Sequence, residues 1–239
     1  MIETFEELAS TSGTLLERLA AGQAIAEGNW LVARRQTSGR GRLGRAWSDG
    51  LGNFMGSTFV SHHSGDPPLG TLALAIGLAV REAVIKYVPA GTPVMLKWPN
   101  DLLVNGAKLS GILLEGTRGG VVVGIGVNLA VAPVLLDRPT AALAQIGTCP
   151  DCDIFAQELA ATVSLEVERW RTFGLEPLIR RWDAAAHPLG TPLRAGEGGE
   201  TALSGTYAGL AADGALQLRL ADGTLRAIHA GEINLSNGS

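Results

Sequence analysis

Residues 94–127 read VMLKWPNDLLVNGAKLSGILLEGTRGGVVVGIGV and contain four short runs rich in Val, Ile and Leu. The runs cover residues 94–98, 102–104, 110–115 and 121–127. Turn-forming pairs separate them, at Pro99-Asn100, Asn105-Gly106 and Gly119-Gly120. Alternation of β-rich runs with such turns predicts a sheet built mostly of hairpins in the middle of the chain.

Helices and strands are also predicted on both sides of this sheet. Leucines at helical spacing predict a helix over residues 14–21, with Thr11 or Ser12 as its N-cap. The other predicted elements are strands at 30–34 and 54–60 and helices over 69–87, 154–173 and 176–186. The segment from 36 to 53 lacks apolar periodicity and is a long loop, a feature that is commonly functional in a compact domain.

The pattern of apolar residues changes at Pro192. Short β-rich segments follow at 193, 206–208, 215–220 and 225–229, with hairpin signals at Asp213-Gly214 and Asp222-Gly223. We therefore predict an α+β domain over residues 1–188 and a small β-barrel over residues 189–239.

Composition excludes several classes of function. The net charge is −4 and the pI is near 5.6, which disfavours nonspecific nucleic-acid binding because that binding needs a basic surface. The apolar run from Leu69 to Val80 is too short to cross a bilayer, and the acidic start does not resemble a secretory signal. These features predict a cytoplasmic protein that does not bind membranes.

Lysine is scarce in this chain. Of 19 basic residues, only Lys86, Lys97 and Lys108 are lysines. Two of them lie in one block, residues 97–113. The compact ammonium of lysine and the planar fork of arginine are not interchangeable in a site that is shaped for one of them. A site that requires an ammonium explains their retention, and coding bias toward arginine is the alternative.

The segment GRGRLGRAW at residues 39–47 alternates glycine with arginine. Glycines let a backbone approach a ligand closely, and guanidinium groups bind phosphate or carboxylate oxygens. Trp47 offers a flat face for a nucleobase. The alternatives are a solvated basic loop and, for Trp47, an ordinary core residue.

Other nucleotide and metal motifs are not found. The sequence has no P-loop, and Gly124-Ile125-Gly126 lacks the third glycine of the dinucleotide fingerprint. Cys149 and Cys152 cannot complete a zinc site alone, so we interpret them as reduced loop cysteines. The four histidines show no metal-ligand spacing and are expected in loops or at the surface.

An arginine-rich loop, a tryptophan and a lysine-bearing sheet together suit the attack of a carboxylate on an α-phosphate, which is acyl-adenylate chemistry. Four blocks carry these residues: 39–47, 97–101, 108–113 and 124–128. They resemble the signature blocks of biotin protein ligases in order and approximate spacing. The resemblance covers essentially the whole chain. It implies a mixed-sheet catalytic domain related to class II aminoacyl-tRNA synthetases, followed by an SH3-like barrel.

The resemblance implies a two-step reaction of the biotin–[acetyl-CoA-carboxylase] ligase type. Biotin and Mg-ATP would give biotinyl-5′-adenylate and pyrophosphate, and a lysine of a biotin carboxyl carrier domain would then attack the mixed anhydride. ATP and biotin are the implied substrates and Mg²⁺ the implied metal, without an assigned protein ligand. The implied partners are the carrier domain and a second copy in a possible homodimer.

The resemblance also implies roles for individual residues. The catalytic set is Lys108, Arg40 and Arg42. The biotin-binding set is Ser10, Thr11, Gln36, Arg40, Lys108, Gly111, Gly124 and Gly126. The adenylate-binding set is Arg42, Arg45, Trp47, Lys108 and Asn128, with Trp47 packed on adenine. Lys97 and Asp101 are left between a catalytic role and a structural or metal-organising one.

The chain departs from the family's pattern in one place. The family commonly has Asp-Ser-Thr-Asn before the first helix, where this chain has Ala9-Ser10-Thr11-Ser12, and that weakens the assignment of Ser10 and Thr11. Many bacterial relatives carry an N-terminal DNA-binding winged helix, and this chain is expected to lack it and not to bind DNA. The alternative functions are a lipoyl or octanoyl transferase and a noncatalytic protein that binds biotin or a carrier domain.

Overall fold

The computed structural model describes residues 1–196, 202–231 and 233–235. Four α-helices lie among these residues: α1 (Thr11–Ala20), α2 (Leu72–Ile85), α3 (Cys152–Phe173) and α4 (Leu175–Ala185). The strands before residue 128 are β1 (Ile2–Leu8), β2 (Trp30–Gln36), β3 (Phe54–Ser61), β4 (Val94–Lys97), β5 (Asp101–Val104), β6 (Ala107–Thr117) and β7 (Gly120–Val127). The later strands are β8 (Pro192–Ala195), β9 (Leu203–Leu210), β10 (Leu216–Arg219), β11 (Leu225–Ile228) and β12 (Ile233–Leu235).

The first seven strands form one mixed sheet in the order β1-β2-β3-β7-β6-β5-β4. The pairing of β1 with β2 is parallel, and the other pairings are antiparallel. Strands β4 to β7 follow one another as hairpins, as the sequence of residues 94–127 predicts. The predicted mixed α+β fold is confirmed.

The helices α2, α3 and α4 pack together with this sheet. Helix α2 is almost entirely buried, and Phe155, Trp170 and Trp182 of the other two helices join it in the core. Helix α1 packs over β3 through a smaller cluster that contains Leu15, Leu31 and Phe59. The core therefore fixes the first turn of α1 above the centre of the sheet. None of the helices in the described ranges has the length and apolar character that a membrane crossing needs.

Three details differ from the sequence predictions. Strand β1 was not predicted, and the helix expected over 69–87 begins with a short 3₁₀ turn, Leu69–Thr71, before α2. The N-cap of α1 is Ser10, not Thr11 or Ser12, because Ser10 Oγ accepts the Gly13 N–H while the other two lie inside the helix. The hydroxyl groups of Thr11 and Ser12 are thereby released for other contacts.

The five C-terminal strands form a separate antiparallel sheet in the order β11-β10-β9-β8-β12. It contacts the rest of the chain through polar groups as well as apolar ones. Trp98 Nε1 donates to the carbonyl of Gly214 at 3.2 Å, and the Tyr207 hydroxyl donates to Asp183 Oδ1 at 2.6 Å. Burial and the neighbouring Asp183 carboxylate raise the pKa of Tyr207.

We predict that Tyr207→Phe lowers the free energy of unfolding by about 2 kcal/mol, because a buried hydroxyl then no longer donates to a carboxylate. Tyr87→Phe is the matched control. Tyr87 also donates to a carboxylate, Glu158, at 2.5 Å, but this contact lies near the surface. We expect the control to lose less than about 1 kcal/mol. Urea unfolding measures the free energy of unfolding of both variants. An equal decrease in the two would contradict a stabilising buried hydrogen bond at Tyr207.

Candidate active site

A single cleft contains almost all of the residues predicted to be functional. It opens over β6 and β7, between the start of α1 and the arginine loop, which we define as residues 39–47. Its lining includes Ser10, Thr11, Gln36, Arg40, Arg42, Arg45, Trp47, Asp101, Lys108, Gly111, Gly124, Gly126 and Asn128. Only Lys97 of the predicted residues is not part of this lining. Residues that are far apart in sequence thus converge on one site.

Buried hydroxyl and amide groups form one end of the cleft. The backbone N–H of Thr11 donates to Gln36 Oε1 at 2.7 Å, and Thr11 Oγ1 lies 3.2 Å from the same oxygen. Ser57, which the sequence analysis did not identify, lies between Thr11 Oγ1 at 2.7 Å and Ser12 Oγ at 2.9 Å. The first turn of α1 is therefore tied to β2 and β3 through polar side chains.

Lys108 and Asp101 form an ion pair at the other end. Lys108 Nζ lies 2.7 Å from Asp101 Oδ1, and the two side chains are only 18% and 10% exposed. The pairing of β5 with β6 shifts by one residue beside Lys108, and such a bulge re-aims side chains. The contact with the carboxylate offsets part of the cost of burying the ammonium group.

The backbone around Lys108 is held by a neighbouring segment. Lys108 N donates to the carbonyl of Pro139, and Ala141 N donates to the carbonyl of Lys108. The side chain of Asn128 donates to the carbonyl of Ala141 at 3.1 Å. Asn128 is buried, so its amide acts on this segment and thereby on the position of Lys108.

Two arginines of the loop have partners at the rim of the cleft. Arg42 donates to Asn100 Oδ1 at 3.1 Å and to the carbonyl of Gly231 in the C-terminal unit at 3.3 Å. Arg40 pairs with Glu115 of β6 at 3.3 Å. Asn100 in turn donates to the carbonyl of Ile112 at 2.6 Å. The arginine loop therefore bridges the sheet and the C-terminal unit.

The Trp47 ring lies on the sheet beside the ion pair. A Cβ atom at Gly126 would lie 2.3 Å from this ring, and one at Gly111 would lie 3.0 Å from it. Lys108 Nζ is 5.9 Å from the centre of the Trp47 ring. Within the described ranges, no acceptor is within hydrogen-bond reach of Trp47 Nε1 although the atom is buried. The glycines at 111 and 126 thus make room for Trp47, whereas the sequence interpretation gave their space to a ligand.

Gly124 has a comparable neighbour. A Cβ at this position would lie 2.5 Å from Ser12 Oγ and 3.5 Å from Ser57 Oγ. The missing side chain therefore lets α1 approach β7 closely. This close approach keeps the Ser12 hydroxyl on Ser57.

Lys97 lies apart from the cleft, near His187. Burial and the charge of Lys97 lower the pKa of His187. His187 is buried, which differs from the expected surface position. Leu96, the neighbour of Lys97 on β4, pairs with Ala186 just after α4. This position supports the structural interpretation of Lys97 rather than a catalytic one.

The cysteines are not bonded to each other. Cys149 is exposed, whereas Cys152 is the first residue of α3 and is buried. Burial raises the pKa of the Cys152 thiol, which lies 3.7 Å from the carbonyl oxygen of Asn53. Cys152 is thus part of the helix core and not of a loop. Across the described residues, no group of three or more His, Cys, Asp or Glu side chains is arranged to hold a metal.

One segment of the cleft wall was missed by the sequence analysis. Residues 130–139 contribute Pro133, Leu135, Asp137 and Arg138 to the lining. Val134 and Leu136 of the same segment are fully or almost fully exposed. The signal available in the sequence was the apolar stretch VAPVLL at residues 131–136, which contains a proline.

Comparison with known proteins agrees with this geometry. The model of the biotin/lipoate A/B protein ligase family matches residues 6–131, and the model of the biotin protein ligase C-terminal domain matches residues 189–236. A biotin–[acetyl-CoA-carboxylase] ligase of Paracoccus denitrificans is 35% identical over 224 residues, which are 89% of this chain and 92% of the relative. The chain belongs to the biotin protein ligase family.

Other members of the biotin protein ligase family are similar as well. The biotin–[acetyl-CoA-carboxylase] ligase of Mycobacterium tuberculosis is 37% identical over 177 residues, covering 71% of this chain and 65% of the relative. The structure of the Aquifex aeolicus biotin protein ligase in complex with biotin and ATP superposes with a TM-score of 0.84. It is 27% identical, and the match covers 99% of both chains.

Proposed function

We propose that this biotin protein ligase activates biotin with ATP and transfers it to a lysine of a biotin carboxyl carrier protein. One observation carries the site assignment: the Lys108 ammonium, paired with Asp101 at 2.7 Å, lies in the same cleft as the hydroxyl and amide groups of Thr11 and Gln36. A cyclic urea needs donors and acceptors at one end, and a reacting carboxylate needs a cation at the other. The cleft provides both ends.

The first step joins a carboxylate to the α-phosphate. An oxygen of the biotin carboxylate attacks the α-phosphorus, the bond to the bridging oxygen breaks, and pyrophosphate leaves with the bonding electron pair. Lys108 neutralises charge on both the carboxylate and the α-phosphate, and Asp101 keeps its ammonium in place. Arg40, Arg42 and Arg45 supply further donors to the phosphates. Preorganised donors of this kind are worth about 3 to 4 kcal/mol each.

The remaining residues hold the two substrates. Ser10, Thr11 and Gln36 hold the biotin head group. Gly111 and Gly126 act by making room for Trp47, and Gly124 by making room for Ser12. Trp47 forms the wall between the head group and the adenylate through its packing on Gly126. Asn128 acts by fixing the segment that supports the Lys108 backbone.

The donor set of the cleft is compatible with Mg²⁺ that is held mainly by nucleotide phosphates. Two carboxylates, Asp101 and Asp137, line the cleft, and Mg²⁺ typically uses one or two carboxylates together with phosphate oxygens. Bound there, the ion would neutralise phosphate charge. Asp137 also has a pKa below its usual range because Arg138 donates to it.

The second step consumes the adenylate. The uncharged amine of a carrier lysine attacks the acyl carbon of the mixed anhydride, an amide bond forms, and AMP leaves with the electrons of the cleaved C–O bond. The attacking amine loses a proton to solvent. No nucleophile of the enzyme is required, since the anhydride is already activated.

Exchange of labelled pyrophosphate into ATP tests this function. We expect exchange with biotin and none above background with lipoate, since lipoate has no urea to meet Thr11 and Gln36. Exchange with lipoate but not with biotin would favour the lipoyl transferase alternative. No exchange with either acid would contradict adenylate formation.

We predict that the arginine loop becomes protected when the adenylate forms. Leu43 is exposed and has a positive φ of 57°, so the loop presents cleavable bonds at its tip. Biotin plus Mg-ATP should slow tryptic cleavage after Arg40, Arg42 and Arg45 by about tenfold. Arg118, in the exposed turn between β6 and β7, is the internal control and should be cut at an unchanged rate. Equal cleavage of the loop with and without ligands would contradict closure over the adenylate.

We further propose that residues 1–188 form the catalytic unit and residues 189–239 an SH3-like unit. Separate sheets before and after His187-Pro188 support this division.

Strands β1 and β4 are the edges of the large sheet and are the surfaces available for a homodimer, which analytical ultracentrifugation would detect. A cytoplasmic location suits an enzyme whose substrates are ATP and a carboxyl carrier protein.

A further inference from the structure

Four buried side chains form a continuous polar chain in the wall of the cleft. They are Ser12, Ser57, Thr11 and Gln36, all of them buried, and Ser57 is completely inaccessible. Their contacts run from Ser12 Oγ to Ser57 Oγ at 2.9 Å, then to Thr11 Oγ1 at 2.7 Å, then to Gln36 Oε1 at 3.2 Å. We call this set the hydroxyl relay. Ser57 is its only member outside α1 and β2.

The direction of each hydrogen bond in the hydroxyl relay is fixed by a backbone group. The Thr11 N–H can only donate, so the Gln36 side-chain atom that it meets at 2.7 Å must be the carbonyl oxygen. That oxygen can only accept, so the Thr11 hydroxyl, 3.2 Å away, donates its single proton to it. Ser57 must therefore donate to Thr11, and Ser12 must donate to Ser57.

These directions determine what the hydroxyl relay offers to a ligand. The proton of each hydroxyl is already used, so Thr11 and Ser12 present only acceptor lone pairs. The Gln36 amide is held with its oxygen toward Thr11, so its NH₂ group points the other way, toward Gly39 at the start of the arginine loop. The result is a surface with fixed acceptors and a fixed donor.

We propose that Ser57 is a positioning residue that sets this polarity and thereby selects the biotin ureido group. The inference rests on the proposed function. The ureido N–H groups donate to the hydroxyl oxygens, and the ureido carbonyl accepts from the Gln36 amide. Ser57 belongs to the cleft wall, but its side chain is completely inaccessible and its hydroxyl is in contact with Thr11 and Ser12, so it acts on the ligand through these two residues. Without its donated proton, the Thr11 oxygen has an unfilled acceptor site and the Ser12 proton has no partner.

Close packing of α1 on β7 supports this arrangement of hydroxyl groups. A Cβ at Gly124 would lie 2.5 Å from Ser12 Oγ, so a glycine is needed for Ser12 to reach Ser57. The neighbouring residue on β3, Thr58, uses its hydroxyl differently. Thr58 Oγ1 donates to the carbonyl of Asn29 at 2.7 Å, on the other face of the sheet and away from the cleft.

Ser57→Ala tests the proposal through a separation of kinetic constants. We expect the KM for biotin to rise by about tenfold, the effect of one or two lost hydrogen bonds, while the KM for ATP and kcat stay within about twofold. Thr58→Val is the matched control. It also removes a buried hydroxyl from β3, but both KM values should remain at the wild-type level. Ser57→Cys fills the same space with a weak donor and should raise the biotin KM by about threefold.

Cyclic carbamate analogues of biotin, in which one ureido N–H is replaced by oxygen, give a readout that a general structural defect would not move. If Ser57 orients acceptors for the ureido N–H groups, Ser57→Ala should raise the KM for biotin by about tenfold. The KM for at least one analogue should rise by less than twofold. An equal rise in the KM values for biotin and both analogues would overturn the proposal. An unchanged KM for biotin in both Ser57 variants would overturn it as well. Absence of biotin-dependent exchange in the wild type would instead contradict the proposed function.

Discussion

Lys108→Arg is expected to lower biotin-dependent pyrophosphate exchange by about 1000-fold and to change the melting temperature little. Lys108 Nζ contacts Asp101 at 2.7 Å and lies 5.9 Å from the centre of the Trp47 ring. A Cβ at Gly111 would lie only 3.3 Å from Nζ, so the surroundings are already tight. A guanidinium is longer and planar and cannot place a donor at the same point. Loss of one preorganised donor typically costs about 100- to 1000-fold in rate.

Lys86→Arg is the matched control for this substitution. Lys86 also pairs with a carboxylate at 2.7 Å, but its partner is Glu158 and the pair lies at the surface beside the end of α2. The control should keep wild-type exchange. Exchange rates of Lys108→Arg within tenfold of the wild type would show that any cation suffices at this position.

Gly126→Ala is expected to lower adenylate formation by about 100-fold. The added Cβ would lie 2.3 Å from the Trp47 ring, and the backbone of β7 cannot retreat because it is paired on both sides. The ring must therefore move toward Lys108 or out of the cleft. Displacement of a wall by about 1 Å can cost about 100-fold in rate, and overpacking costs about 1 to 3 kcal/mol of stability.

Gly116→Ala provides the comparison for Gly126→Ala. Gly116 lies on the neighbouring strand β6, and a Cβ there would have no atom within 4 Å. The control should leave both the exchange rate and the melting temperature near the wild-type values. If Gly126→Ala has full activity, Trp47 is not a wall that the reaction needs.

The sequence of residues 94–127 was sufficient to predict the central hairpins, because each turn has its own glycine, asparagine or proline signal. Strand β1 had no comparable signal. Its residues Glu3, Glu6 and Glu7 are exposed at the edge of the sheet, so charged side chains conceal the β pattern. Only the parallel pairing with β2, which is a tertiary contact, identifies it.

The cleft was predicted well where residue types carry the chemistry, as for Lys108 and the arginine loop. Ser57 was missed because a serine within a buried strand is indistinguishable in sequence from any other small residue. Its importance arises from distances to Thr11 and Ser12, which come from another element. These contacts are open to Thr11 and Ser12 because Ser10, and neither of them, is the N-cap of α1.

The roles of the glycines also required the structure. Spacing alone could not distinguish a glycine that admits a ligand from one that admits a side chain. At Gly111 and Gly126 the neighbour is Trp47, and at Gly124 it is Ser12. These contacts place the tryptophan against the sheet.

The most direct test of the central claim is the mass of the small molecule that the purified enzyme forms from biotin and Mg-ATP without a carrier protein. We expect biotinyl-5′-adenylate to accumulate in about equimolar amount with the wild-type enzyme and with Lys86→Arg, and to be undetectable with Lys108→Arg. Formation of the adenylate by Lys108→Arg at the wild-type level, or its absence from the wild type, would contradict the assignment of this cleft as the site of biotin activation.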